Sequence, residues 1–159
     1  MERVVVDSNV LVKWFILEDY SEYARLLRND HLLGCVEAVT PRYALLEFYN
    51  ALRKYYARGI LDREKLAKIV DLFHEVKVTL VDIKRDVLDE ALKYSLENHV
   101  TVYDAYYIVL AYKLDTLVYT ADEKLLKRLE DREPRLKHLK EYRAKCAQEQ
   151  PEPQNSRHL

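Results

Sequence analysis

Two acidic residues of this 159-residue chain lie at the ends of short apolar runs: Asp7 closes the first run, and Asp122 follows the second. The runs, at 3–7 and 116–120, are rich in β-branched residues and typical of buried strands. The carboxyl ends of parallel strands form the edge at which open α/β sheets bind ligands. We therefore expect both carboxylates to lie at one edge of a sheet.

Two further acidic residues belong to predicted helices. Asp104 falls in the first turn of its helix, where free backbone N–H groups and the helix dipole favour a negative charge. Glu47 lies within ALLEFYNAL, a segment that is otherwise mostly apolar or aromatic. Helical spacing places small residues among the neighbours on its face, which are Tyr43, Ala44, Asn50 and Ala51. The face has room for an ion beside the Glu47 carboxylate.

Four converging carboxylates would repel one another and raise one another's pKa unless a cation neutralised them. Oxygen-only ligands select hard ions, Mg²⁺ or Mn²⁺, rather than zinc. Such ions retain water that can attack phosphorus, and they stabilise the developing charge. The acidic set thus predicts phosphodiester hydrolysis.

Each acidic residue also has an ordinary structural interpretation when it is taken alone. Asp7 and Asp122 could be helix N-caps, and Asp104 could simply complement a helix dipole. Glu47 could pair with Lys54. Only the combination of the four residues favours the catalytic interpretation, and Glu47 is the residue that is hardest to explain otherwise.

Strands that alternate with helices predict an α/β fold, with a parallel central sheet layered between helices. One helix is expected around 20–29, and a second from the N-cap and first-turn proline at Thr40-Pro41 to a C-terminal cap at Gly59. Further helices are expected to begin after N-caps at Asp62, Thr101 and Asp122. Strands are expected at 3–7, 35–39, 76–83 and 116–120. Residues 134–145 could be an edge strand or a helix.

Composition limits the possible partners and compartments. The 26 basic and 27 acidic residues give a formal charge of −1, so any affinity for nucleic acid must be local. Cys35 and Cys146 are far apart and lack nearby ligand residues, which predicts two plain thiols. The sequence pattern indicates neither a membrane-spanning segment nor a signal peptide, so we expect a cytoplasmic protein that makes no membrane contact. The polar stretch 144–159 is expected to be a disordered tail.

The chain resembles PIN domains, and among them the single-domain toxins of the VapC type, in four ordered segments. These are VVVDSNVLV at 4–12, LLEFYNAL at 45–52, TVYDAYYIVLA at 101–111 and LVYTADEKLLK at 117–127. The resemblance spans residues 3–143 and implies one nuclease domain over 1–143. It implies an endoribonuclease dependent on Mg²⁺ or Mn²⁺, with metal-binding and catalytic roles for Asp7, Glu47, Asp104 and Asp122.

The same resemblance implies supporting residues and partners. Ser8, Asn9 and Thr120 match positions that hold the acids or metal-bound water through hydrogen bonds, although turn capping would also explain them. A second copy of the chain and a small antitoxin are the implied protein partners. For the RNA substrate, Lys54 is the best single candidate contact, since most other basic residues are expected to lie on solvated helix faces.

Two other functions compete with this interpretation. Haloacid-dehalogenase-type phosphatases also begin with an apolar strand that ends in Asp, but they need a second acid two positions later, where this chain has Asn9. A binding module whose acids hold a structural ion would not catalyse any reaction. The sequence argues against the first alternative and leaves the second open.

Overall fold

Five short strands form one parallel sheet in the order β3-β2-β1-β4-β5. The structure is a computed structural model that describes residues 1–129 and 132–152. The strands are β1 (Glu2–Val6), β2 (Val36–Pro41), β3 (Thr79–Val81), β4 (Val118–Thr120) and β5 (Leu136–His138). The α/β class and the four expected strands are confirmed, and the undecided stretch contributes β5 at the sheet edge.

Seven α-helices occur in the described part of the chain. They are α1 (Ser8–Lys13), α2 (Ser21–Leu32), α3 (Ala44–Ala57), α4 (Arg63–Val76), α5 (Arg85–Asn98), α6 (Val102–Lys113) and α7 (Glu123–Leu129). Three predicted caps are confirmed: Gly59 has a positive φ after α3, and Asp62 and Thr101 accept hydrogen bonds from the first turns of α4 and α6. The helix expected after Asp122 is α7, which is described as far as Leu129.

The predicted helix start at Thr40-Pro41 is wrong. Both residues belong to β2, and α3 begins only at Ala44. The buried Thr40 hydroxyl donates a 2.8 Å hydrogen bond to the carbonyl of Val6 in the neighbouring strand rather than capping a helix. Pairing with strands on both sides outweighs the local capping signal here.

Helix α6 packs against β1 and β4 and is covered on its outer side by α5. All residues from Ala105 to Ala111 are buried, as is typical of a helix that is apolar around its whole circumference. This burial fixes the first turn of α6, and hence Asp104, relative to the sheet. Although α6 is strongly apolar it has only 12 residues, and no described helix is long and apolar enough to cross a membrane.

The prediction of two plain thiols is wrong, because Cys35 and Cys146 form a disulfide with Cα atoms 5.8 Å apart. The backbone N–H groups of Lys145 and Cys146 also donate to the buried carboxylate of Asp30, at 2.7 and 3.1 Å. The Gln148 side chain also donates to Asp30, at 2.6 Å, so this part of the polar stretch contacts α2. The disorder expected for 144–159 stays a prediction. The remainder of that predicted tail, 153–159, lies outside the described residues.

Candidate active site

Asp7 connects the carboxyl end of β1 to α1 and is buried, with 7% of its surface exposed. Asp7 occupies the N-cap position of α1, as the capping interpretation expected, but its carboxylate makes no capping hydrogen bond there. Three side chains donate to it instead: Thr120 at 2.8 Å, Ser8 at 3.3 Å and Asn9 at 3.4 Å. The structure thus places all three predicted supporting residues in contact with Asp7.

The Thr120 hydroxyl joins the ends of two neighbouring strands. It donates to Asp7 and accepts hydrogen bonds from the Asn9 amide at 3.2 Å and from the backbone N–H of Asp122 at 3.0 Å. The Asn9 carbonyl oxygen in turn accepts the N–H of Ala121 at 3.1 Å. This network fixes the turn that carries Asp122 relative to Asp7.

Asp104 and Asp122 both lie at helix starts. The Asp104 N–H donates to the Thr101 hydroxyl at 3.1 Å, while the carboxylate itself is half-buried in the first turn of α6. Asp122 accepts a hydrogen bond of 3.0 Å from the N–H of Leu125, so it does cap α7. Since a carboxylate has a second oxygen and further lone pairs, this cap still leaves acceptor positions on Asp122.

Glu47 is half-buried on α3, and its Oε1 accepts a 2.7 Å hydrogen bond from the Tyr107 hydroxyl. The alternative pairing with Lys54 is absent from the ion pairs found among the described residues. The partner of Glu47 is therefore a neutral donor, and the carboxylate keeps its negative charge uncompensated when ionised.

The pKa shifts link the four carboxylates electrostatically. Burial raises the pKa of Asp7 to about 7, helped by the charges of Glu47 and Asp104 and opposed by the Thr120 hydrogen bond. Burial and Asp104 raise the pKa of Glu47, and burial and Asp122 raise that of Asp104. Each acidic side chain thus lies within the field of at least one other, so the site favours protons or a cation.

The four side chains match a hard divalent cation in donor type and in charge, because every donor is a carboxylate oxygen. They do not form a preassembled coordination shell. Among residues 1–129 and 132–152, no three His, Cys, Asp or Glu side chains lie close enough to hold a metal ion as they stand. An ion would have to draw the oxygens together, which carboxylates that repel one another permit once the charge is neutralised.

Two cavities flank the acidic residues. One, of about 310 Å³, lies beside Glu47 and is also lined by Lys54. The other, of about 180 Å³, contains Asp104 and Asp122 and is lined by Lys124 and Arg128 on α7. The Arg128 charge opposes the rise in the pKa of Asp104. Basic side chains therefore stand on both sides of the acidic residues.

Tyr107 is the site residue that the sequence did not reveal. It lies in an apolar helix and is buried, with 3% exposed, as is ordinary for a core tyrosine. A usable signal was its spacing: Tyr107 follows Asp104 by three residues and so shares its helix face. Burial raises the pKa of Tyr107, which keeps its hydroxyl protonated as a donor.

Comparisons with known proteins find similarity in sequence and in fold. The family model described as "PIN domain" matches residues 4–131. Ribonuclease VapC3 of Pyrobaculum aerophilum is 30% identical over 124 residues, which cover 77% of this chain and 92% of that protein.

Two solved structures are similar in fold at low identity. The crystal structure of PAE2754 from Pyrobaculum aerophilum has a TM-score of 0.65 and 19% identity, covering 87% of this chain and 91% of that one. A toxin-antitoxin complex from Klebsiella pneumoniae has a TM-score of 0.58 and 14% identity, covering 86% and 97%. With the family model matching most of its length, the chain belongs to the PIN-domain family.

Proposed function

We propose that the chain is an endoribonuclease that uses Mg²⁺ or Mn²⁺ and acts as the toxin of a toxin-antitoxin pair. The observation that carries the proposal is the buried Asp7 carboxylate, whose pKa is raised to about 7 by burial and by Glu47 and Asp104 at the carboxyl edge of the sheet. Such crowding costs stability without a bound cation. The similarity to Ribonuclease VapC3 supports RNA as the substrate.

In this proposal Asp7, Glu47, Asp104 and Asp122 would hold the metal ion. The ion would supply Lewis acidity at the phosphate and stabilise the charge that develops in hydrolysis. The protein orients its own ligands: Thr120 and Asn9 fix Asp7, while Tyr107 fixes one oxygen of Glu47.

Glu47 is also our candidate for accepting a proton from the attacking water. Its pKa is raised by burial and by Asp104, which makes its carboxylate a stronger base than a free one. As the water oxygen bonds to phosphorus, the bond from phosphorus to the leaving ribose oxygen breaks, and that oxygen takes a proton from solvent. The carboxylate would lose its proton to solvent afterwards.

Local charges would bind the RNA, because the net charge of −1 gives no general attraction. Lys54 lines the cavity beside Glu47, and Lys124 and Arg128 line the one beside Asp104. In this proposal these residues would contact phosphates on either side of the cut. They lie on α3 and α7, so the strand would cross the acidic edge between the two helices.

The proposed partners are a second copy of the chain and a small antitoxin. Exposed leucines recur along one face of α5, at Leu88, Leu92 and Leu96, and such an apolar stripe suits a homodimer contact. The toxin-antitoxin complex with a similar fold supports the antitoxin. Sedimentation of the purified chain tests the dimer, and a short DNA-binding protein encoded beside its gene would favour the antitoxin.

Cleavage of end-labelled RNA tests the proposed activity against its alternatives. We expect internal cuts with Mg²⁺ or Mn²⁺ and none with EDTA. A binding module would leave the RNA intact, and a phosphatase would remove terminal phosphate without cutting the chain. The Asp7→Asn variant serves as the contamination control, because equal cleavage by that variant would refute the assignment.

A further inference from the structure

The larger cavity beside the acidic residues extends away from them between α1 and α3. Glu47, Ser8 and Asn9 line it at the end of the acidic site. The rest of its wall is formed by Val12, Glu18, Asn50, Ala51, Lys54 and Tyr55. At about 310 Å³ it is within the size range of small-molecule pockets, with an apolar part and a few polar groups.

Both carboxylate oxygens of Glu18 accept hydrogen bonds at the wall of this cavity. Lys13 donates to its Oε1 at 3.0 Å, and the Tyr55 hydroxyl donates to its Oε2. Its backbone N–H donates to the Ser21 hydroxyl at 2.9 Å. The Lys13 side chain is itself largely buried, with 11% exposed, against 30% for Glu18. The Glu18 carboxylate is therefore oriented before any ligand arrives.

We propose that this cavity binds a nucleobase of the RNA next to the cut phosphate and that Glu18 selects bases carrying an exocyclic amino group. The inference rests on the proposed function, because it assumes an RNA strand across the acidic edge. A base has flat apolar faces and a polar edge, which match Val12 and Ala51 on one part of the wall and Glu18 on another. Lys54 on the same wall is placed for the adjoining phosphate.

The selectivity follows from the donor and acceptor pattern. An ionised carboxylate only accepts hydrogen bonds, and each oxygen of Glu18 keeps a lone pair after accepting from Lys13 or Tyr55. The amino group of cytosine can donate to such an oxygen. Uracil carries a carbonyl oxygen at the same position. That oxygen and the carboxylate are both hydrogen-bond acceptors, so they would repel each other. Cytosine and uracil are nearly equal in size, so they isolate this effect.

The test compares labelled 2′-O-methyl pentanucleotides of cytidine and of uridine by fluorescence anisotropy. Ca²⁺ is added to neutralise the acidic oxygens. We expect the cytidine oligomer to bind about tenfold more tightly, within the range of one good base contact. In Glu18→Gln, whose amide both donates and accepts, the ratio should fall below about twofold, whereas the exposed Glu97→Gln on α5 should keep it.

A purely structural role for Glu18 would weaken both oligomers alike and leave the ratio unchanged, which would overturn the proposal. Equal binding of the two oligomers by the unaltered protein, or measurable binding of neither, would also overturn it. Cleavage measured on the matching unmodified RNAs separates this inference from the proposed function. Cutting without base preference contradicts the base pocket alone, and preferential binding without cutting contradicts the nuclease alone.

Discussion

The Tyr107 hydroxyl donates a 2.7 Å hydrogen bond to Oε1 of Glu47 and so connects α6 to α3 across the acidic site. Tyr107 is almost fully buried, while Glu47 is half-buried. The bond opposes the rise in the pKa of Glu47 caused by burial and by Asp104. One neutral donor therefore both orients this carboxylate and favours its ionised form.

The variant Tyr107→Phe should reduce kcat by roughly tenfold, in line with the loss of a residue that orients a metal ligand. The KM for RNA should change little, and the acid limb of the pH–rate profile should move to higher pH because the pKa of Glu47 rises. Tyr106→Phe is a matched control: it removes a hydroxyl one residue away that accepts from the N–H of Lys84 instead. Equal effects of both variants would assign Tyr107 to the core alone.

Mn²⁺ or Mg²⁺ should raise the melting temperature of the protein. An ion present at about 100 times its Kd adds about 2.7 kcal/mol to the free energy of unfolding when only the folded state binds it. Asp104→Asn should blunt the response, whereas Asp71→Asn, at an exposed position on α4, should leave it intact. If the protein is folded and millimolar Mn²⁺ leaves its melting temperature unchanged, the four acidic residues do not bind the ion.

The metal-free protein should lose stability as the pH rises from about 4 to about 7. The pKa of Asp7 is 3.8 in the unfolded chain and about 7 in the folded one, so the folded state binds the proton more tightly. Its contribution is present at low pH and is lost as the pH rises through the folded pKa, by at most about 4 kcal/mol.

Urea denaturation in EDTA across this pH range measures the effect. Asp7→Asn should flatten the dependence, and added Mn²⁺ should offset the loss near neutral pH, where the ion replaces the proton. Stability of the unaltered protein that rises steadily from pH 4 to 7 in EDTA would contradict the assigned direction.

Reduction of the disulfide should lower the free energy of unfolding. Cys35 and Cys146 are 111 residues apart. Because the disulfide lowers the conformational entropy of the unfolded chain, closing a loop of that length adds about 3–5 kcal/mol to the free energy of unfolding. The double variant Cys35→Ser, Cys146→Ser should melt at the lower temperature and no longer respond to reductant. RNA cleavage should persist below the melting point, because Cys35 precedes β2 and the acidic residues lie at the opposite edge of the sheet. Loss of cleavage in a folded reduced protein would contradict this separation.

Local patterns were enough to predict the strand ends that carry Asp7 and Asp122. A few consecutive residues are enough to indicate a buried strand and the residue that follows it. Because the strands are parallel, their carboxyl ends meet at the same edge of the sheet. The prediction of a helix start at Thr40-Pro41 was wrong because β2 is stabilised by pairing with β1 and β3. Those strands are distant in the sequence, so local patterns do not reveal the pairing. The cap pattern there is real but is overruled by strand pairing.

The disulfide and the Tyr107 contact depended on distant parts of the chain. Nothing in the sequence signals that Cys35 and Cys146 meet across a separation of 111 positions. Likewise, a tyrosine in an apolar helix is expected to be a core residue. The hydrogen bond from the Tyr107 hydroxyl is seen only once Glu47, on another helix, is in place. The spacing of three residues from Asp104 indicates the helix face of Tyr107, but the partner of its hydroxyl depends on the tertiary fold.

The single-turnover cleavage rate of Glu47→Gln tests the account most directly. Glu47 is the acid with the weakest structural explanation, and the amide keeps its size and can still accept from Tyr107. With the variant folded, as judged by its melting temperature, we predict an RNA cleavage rate at saturating Mn²⁺ that is lower by about 100-fold or more, while Glu97→Gln cuts at the normal rate. A Glu47→Gln rate within about threefold of the unaltered protein would contradict the assignment of the acidic residues as the catalytic site.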